Sequence, residues 1–174
     1  MKRSLWKSTK KIGEDLLRAF PELRSDEKTR STLNMMSLWQ YATDLRNKKR
    51  YEELVWIQPN LIEILVNGLL STYFAVRKDI QYQKANNFIL SLNFYQRNNL
   101  LFLLGLISEE AFCMLEKFRT LRNDLMHKLM QKIKFGGSLD LLCRDLCEIG
   151  FDLQEELHET LWTFVRQNLG PNSK

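Results

Sequence analysis

Apolar residues recur along most of the chain at the three- and four-residue spacing of amphipathic helices. This pattern predicts helices at about 4–20, at about 26–48, and over a long apolar stretch at about 51–78. Pro59 lies inside the third of these segments and should kink or split it near Gln58, because proline lacks the N–H that a helix interior needs. The first half of the chain is therefore predicted to be helical throughout.

The second half of the chain shows the same periodicity. Residues 86–105 predict two short helices with a break near Asn93, the second of them ending at Gly105. Segments 108–132 and 138–169 each begin at a serine, a residue that caps helix N-termini. The buried stripe expected on the first of these consists of Phe112, Leu115, Phe118 (or Arg119), Leu125 and Leu129. We therefore predict an all-α fold, an up-and-down helical bundle.

The composition agrees with this class. Only 7 glycines and 3 prolines occur in 174 residues, fewer than turn-rich β folds or phosphate-binding α/β folds use. The length suits one domain with its own hydrophobic core. We expect a single domain over 1–174, made of a basic N-terminal helical region, 1–50, and a helical bundle, 51–170.

Cysteine usage and hydropathy bear on the cellular compartment. The 3 cysteines do not look like a disulfide framework and predict reduced thiols in a cytoplasmic protein. No long apolar run follows the basic segment at residues 1–7, so no secretory signal peptide is expected. Uninterrupted apolar stretches such as 100–107 are too short to cross a bilayer, so no membrane partner is expected.

Charge is unevenly distributed behind the formal net charge of +5. Region 1–50 has about twice as many basic as acidic residues, and 117–134 contains one acidic residue, Asp124, among six basic ones. Segment 138–159 has the opposite sign. Basic regions attract phosphates, although charge runs are more often solvated helix faces.

The segment at 122–127 carries the clearest candidate chemistry. Asn123 and His127 are four residues apart and share a helix face, while Arg122 lies about 140° further round. Arg binds phosphate through a planar fork of donors, and His can transfer a proton near neutral pH. These side chains are the minimum needed to cut RNA without a metal or any other cofactor, through attack by the ribose 2′-OH. The basic neighbours expected to contact RNA are Arg119, Lys128 and Lys132.

One chain supplies one histidine at this position, whereas the cleavage needs both a base and an acid. A symmetric homodimer would bring two copies together in one cleft. The alternative is that these side chains have no catalytic role. Arg122 and Asn123 would then be ordinary surface residues, and a partly buried His127 would be hydrogen-bonded by Asp124. Spacing alone favours that alternative.

The stretch Leu121-Arg122-Asn123-Asp124-Leu125-Met126-His127 resembles the signature of the HEPN superfamily, an Arg followed by a polar residue and, four to six residues after the Arg, a His. The resemblance covers about 51–170. It implies a helical bundle that dimerises, with Arg122, Asn123 and His127 of both subunits lining one cleft. Many members are metal-independent endoribonucleases in toxin–antitoxin, phage-defence or RNA-processing systems, which makes an antitoxin or another protein a possible partner. Others are inactive adaptors that bind nucleotide, RNA or protein.

One departure from the family concerns regulation. Members paired with a nucleotidyltransferase antitoxin often carry a Tyr two residues after the His, and Leu129 stands there in this chain. Modification of such a Tyr is therefore not expected.

Three further groups of residues are candidate sites. Asp124/His127 and Glu155/His158, with Glu63, resemble the spacing of di-iron bundles, but an exposed Glu155–His158 pair is the simpler interpretation. Cys143, Cys147 and His158 have an unusual zinc spacing, and buried thiols are more common. Tyr95, Arg97 and Asn98 interleave an aromatic with polar groups as RNA-stacking sites do, and also fit an ordinary helix surface.

Overall fold

The structure, a computed structural model, describes residues 38–135 and 139–169, and over 129–135 the backbone alone. All the regular structure in these ranges is helical, which confirms the all-α class. The elements are α1 (38–47), α2 (Tyr51–Leu54), α3 (Gln58–Arg77), α4 (Tyr82–Ser91), α5 (Phe94–Leu103), α6 (Glu109–Phe135) and α7 (Asp140–Leu169). The helix predicted at 4–20 and the cap predicted at Ser138 lie outside the described residues.

Helix α3 is the centre of the bundle. Six large aliphatic side chains along it are at most 3% exposed: Leu61, Ile62, Leu65, Val66, Leu69 and Leu70. It packs against α7, α4 and α5, while α6 packs against α5 and α7. Helix α6 therefore contacts both the helix that precedes it and the helix that follows it in the chain.

Several helix ends follow the predicted signals. The helix is interrupted between Leu54 and Gln58. Pro59 lies in the first turn of α3, where its missing N–H leaves no helical hydrogen bond unmade. Asn93 caps α5 in a reciprocal capping box with Gln96. Gly105 has a φ of 65° and ends the helical path beyond α5, as a glycine at that position commonly does.

In α1, Ala42 and Leu45 are buried and Tyr41 is 49% exposed. One expectation about apolar stretches requires correction. The stretch Tyr51–Arg77 is long and apolar enough to cross a membrane by length and composition, although no such stretch was expected. Its most apolar window is 61% buried inside the bundle, as a core helix would be.

Candidate functional site

Helix α6 carries the candidate motif, and its inner face is set by the predicted stripe. Ser108 caps it through a hydrogen bond from the Ala111 N–H, 3.1 Å long. Leu115, Phe118 and Leu125 are at most 2% exposed, so Phe118 rather than Arg119 occupies the buried position. Successive residues turn by about 100°, and this stripe therefore fixes where every other side chain of the helix lies.

Arg122 lies on the inner side of α6 and reaches across to α3. Its Nη1 donates to Oε1 of Glu63 at 2.9 Å, and the Arg122 side chain remains 37% exposed. The other oxygen of the same carboxylate accepts from Nη2 of Arg97 at 3.4 Å. Two guanidinium groups therefore share one carboxylate, which leaves one net positive charge at this position.

Asn123 and His127 are exposed, and their spacing of four residues places them on a common face of α6. His127 is about 140° round the helix from Arg122. Asp124 and Lys128 are also exposed, further round the helix. One chain consequently brings Asn123 and His127 together but directs Arg122 elsewhere.

The predicted RNA contacts Arg119 and Tyr95 meet each other at the surface. The Arg119 guanidinium lies 5.3 Å from the centre of the Tyr95 ring, which is 52% exposed. Arg119 also pairs with Glu116 at 2.8 Å. Glu116 accepts a second hydrogen bond, 3.2 Å long, from Nδ2 of the buried Asn98. Arg119 is thus positioned and partly neutralised by its own helix.

Arg97 does not lie on the surface where sequence placed it beside Tyr95. It is 7% exposed, and Nη1 donates to Oδ1 of Asn67 on α3. Its Nε atom is buried without a hydrogen-bond partner. This residue organises the interior between α3 and α5 and is not an accessible RNA contact. Lys128 is exposed as expected, whereas the side chain of Lys132 lies outside the described residues.

Sequence reasoning did not identify the partners that fix these arginines: Glu63 as an arginine partner, Asn67, Asn98 and Glu116. A weak signal existed for Glu63, because a carboxylate within the most apolar helix of a chain has to be paired when it is partly buried. Nothing in a single sequence shows which cation, 34 or 59 residues away, supplies that pairing. The cationic run at 117–134 is therefore less positive in the folded protein than its composition indicates.

A small cavity adjoins Arg122 on the side toward α2. It has a volume of about 220 Å³ and is lined by Val55, Trp56, Pro59, Asn60, Arg122, Leu125, Met126 and Leu146. A larger groove of about 890 Å³ runs along α7 beside Asp152, Glu155, Glu156 and Glu159. Its acidic wall repels phosphate, so the smaller cavity is the one whose charge suits a nucleic acid.

The histidine of the second acid–histidine pair is buried. His158 is 3% exposed, and its ring meets the edge of Trp39 at a centroid distance of 5.4 Å. Burial lowers the pKa of His158, against a smaller opposing effect of Glu159. The expected exposed Glu155–His158 pair is therefore wrong, because His158 points into the core. Within 38–128 and 139–169, no three His, Cys, Asp or Glu side chains form a group that could hold a metal ion.

Two of the three cysteines are core residues. Cys143 and Cys147 are at most 3% exposed on α7, and Cys113 is exposed. Burial raises the pKa of Cys147 to about 12, so this thiol stays protonated. His158 is 11 residues beyond Cys147 on the same helix, which separates them by about 16 Å along its axis. These three side chains cannot share one ion.

Comparison with protein-family models, curated proteins and solved structures gives no match for this chain.

Proposed function

We propose that this protein is a metal-independent endoribonuclease of the HEPN type that acts in the cytoplasm as a homodimer. The observation that supports the proposal best is the Arg122-Asn123-x3-His127 arrangement on a long helix of an all-α chain, with Asn123 and His127 on one exposed face. Its substrate is RNA, and an antitoxin or another protein is a candidate partner.

The proposed reaction uses the ribose 2′-OH as nucleophile. A base removes the 2′ proton as that oxygen bonds to phosphorus, and an acid protonates the 5′-oxygen as its bond to phosphorus breaks. His127 of each subunit performs one of the two proton transfers. The products are a 2′,3′-cyclic phosphate and a free 5′-OH, so the atoms balance without water or metal in this step.

Arg122 stabilises the negative charge on the phosphoryl oxygens. The ion pair with Glu63 occupies one of the five N–H donors of the guanidinium, and the side chain is 37% exposed. The remaining donors can therefore reach a phosphate while the pair stays intact. Asn123 positions His127 or hydrogen-bonds the RNA from the same face of α6.

Two copies are required for chemical and geometric reasons. Each chain has a single histidine on this exposed face, and that histidine lies about 140° from Arg122 round the helix. A twofold axis near α6 would set the side chains of one copy opposite those of the other. A single copy holds an incomplete set.

The test is incubation of purified protein with end-labelled RNA in excess EDTA. Wild type should produce fragments ending in 2′,3′-cyclic phosphate, and His127→Ala should lower the rate by about 10²- to 10⁴-fold, the usual contribution of acid–base catalysis. Lys117→Ala is the matched control, because it removes an exposed cation of α6 that lies about 15 Å from His127 along the helix axis and about 80° round it. Cleavage that survives in His127→Ala, with the helical content unchanged, would overturn the assignment.

A second candidate function is a catalytically inactive module that binds RNA, nucleotide or protein. The observation in its favour is the engagement of Arg122 by Glu63, which also suits a purely structural ion pair. Under this alternative the wild-type protein binds RNA with no cleavage, and His127→Ala leaves binding unchanged.

A further inference from the structure

The cavity beside Arg122 exposes two large apolar side chains. Trp56 lies in the turn between α2 and α3 and is 58% exposed, and Met126 on α6 is 45% exposed. The Nδ2 atom of Asn60 donates to the Trp56 carbonyl at 3.0 Å, which ties the turn to the first turns of α3. An indole held at the edge of a cavity offers a flat apolar surface at little entropic cost.

The edge of this cavity is cationic. Arg122 lines it, and Arg122 and Arg97 share the single carboxylate of Glu63. The Arg97 side chain is 9% exposed and its Nε atom is buried without a partner. One positive charge is therefore uncompensated within this set, in a partly desolvated position where it attracts anions more strongly than in water.

The size of the cavity limits its occupant. At about 220 Å³ it is smaller than pockets that enclose a drug-sized ligand, which measure about 300–1,000 Å³. The space suits one ring system. A flat apolar wall and an adjoining cation match the two parts of a nucleotide, a base with a π face and a phosphate.

We propose that Trp56 stacks on one unpaired base of a bound RNA strand in this cavity, while the adjoining phosphate is held at Arg122. The inference deepens the proposed function and rests on it, since it assigns a base-binding subsite next to the cleavage residue Arg122. The stacking is sequence-tolerant, because every base presents a π face. Asn60 lines the same cavity and offers an amide to the edge of the base.

The test measures the contribution of the bases separately from that of the phosphates. Two fluorescent probes of equal length and charge are compared by anisotropy at one fixed salt concentration. One is a 2′-O-methyl oligoadenylate, and the other is the corresponding oligomer without bases. Because both lack the attacking 2′-OH, neither can be cleaved, and the result does not depend on catalysis.

Wild type should bind the base-bearing probe about tenfold more tightly than the abasic one. Trp56→Ala should abolish that preference and leave the affinity for the abasic probe unchanged. Trp56→Phe should keep most of it. Tyr41→Ala is the matched control, because Tyr41 is an aromatic side chain, 49% exposed, that does not line the cavity.

Fluorescence gives a second measurement that does not depend on how well Trp56→Ala folds. Binding of the base-bearing probe should quench tryptophan emission in wild type, and Trp56→Phe should lose that quenching while it still binds. The subsite is overturned if Trp56→Ala weakens the binding of both probes equally, or weakens the binding of neither. A loss of self-association in Trp56→Ala with the base preference intact also overturns it, since Trp56 would then contact a second copy.

The failure of this inference can be told apart from the failure of the proposed nuclease. If His127→Ala and wild type both leave RNA uncut, yet wild type keeps the preference for the base-bearing probe, the catalytic proposal fails and the base-binding cavity stands. If RNA is cut but the two probes bind equally, the nuclease stands and the subsite is rejected.

Discussion

At the scale of single residues, Glu63 determines how Arg122 can act. Its carboxylate accepts from Arg122 at 2.9 Å and from the buried Arg97 at 3.4 Å. The hydrogen bond from Arg122 restricts where this guanidinium can lie before any ligand arrives. A phosphate bound there would cost less side-chain entropy than one bound by a free surface arginine. Under the proposed function, the ion pair between Arg122 and Glu63 would therefore also prepare this cation for phosphate binding.

The two histidines differ in exposure, and we predict that the buried His158 makes stability depend on pH. Burial lowers its pKa below the ordinary value of about 6.5. In mildly acidic solution the unfolded chain binds a proton that the folded chain does not. The free energy of unfolding should be constant with respect to this group above pH 6.5, and should fall as the pH drops below it, by up to about 1.4 kcal/mol per pH unit.

Urea unfolding measured between pH 7 and pH 5 tests this prediction. His158→Gln should remove that part of the slope, because glutamine does not titrate. His127→Ala is the matched control, since it removes the exposed imidazole and keeps the buried one. Equal slopes in wild type and in His158→Gln would show that burial of His158 does not govern the acid sensitivity.

At the scale of elements, the contact between α3 and α7 depends on Gly150, and we predict that Gly150→Ala destabilises the fold. An added Cβ would overlap Cγ of Gln58 and lie 3.0 Å from Cε2 of Phe118, both of which are at most 1% exposed. Overpacking of this kind costs about 1–3 kcal/mol. That cost exceeds the gain in helix propensity, which is about 1 kcal/mol.

Gly68→Ala provides the comparison for this prediction. Gly68 also lies in a helix, α3, but the nearest atom to its added Cβ is Leu161 Cδ2 at 3.8 Å, an ordinary contact. This variant should be neutral or up to about 1 kcal/mol more stable in urea. If Gly150→Ala were as stable as Gly68→Ala, close approach at Gly150 would not be required.

The helix ends that sequence predicts are those with a local chemical cause. Pro59 splits the third segment, Asn93 caps α5, and Ser108 caps α6, each through an interaction within a few residues. The start of α4 was placed at Asn86 and lies at Tyr82. Gln81, which precedes that helix, makes no side-chain cap, so no local signal marks the true beginning.

The candidate site, like the helix ends, was predictable only where it depends on local sequence. The exposed face shared by Asn123 and His127 follows from a spacing of four residues on a helix whose apolar stripe is visible in the sequence. Burial of Arg97 and the pairing of Arg122 with Glu63 depend on contacts between segments 34 and 59 residues apart. Such contacts are set by how helices pack, and periodicity within one helix contains no information about them.

At the scale of the whole molecule, the folded charge pattern separates two surfaces. The acidic groove along α7 is lined by Asp152, Glu155, Glu156 and Glu159, whereas the small cavity at α6 has an arginine at its edge. An anionic strand is repelled from the first and attracted to the second.

The requirement for two histidines predicts that RNA cleavage depends on protein concentration. Under the proposed function, a monomer supplies one exposed imidazole at α6 whereas base and acid are both needed, so only a dimer would turn over RNA. The rate per chain should be constant at high concentration and fall in proportion to concentration once most chains are monomers. Cleavage assays over a dilution series, compared with sedimentation at the same concentrations, measure the rate per chain and the fraction of dimer.

Mixing an excess of His127→Ala into wild type should also lower the rate of cleavage, because mixed dimers contain one His127. A rate per chain that stays constant into the monomeric range would show that one chain holds a complete site.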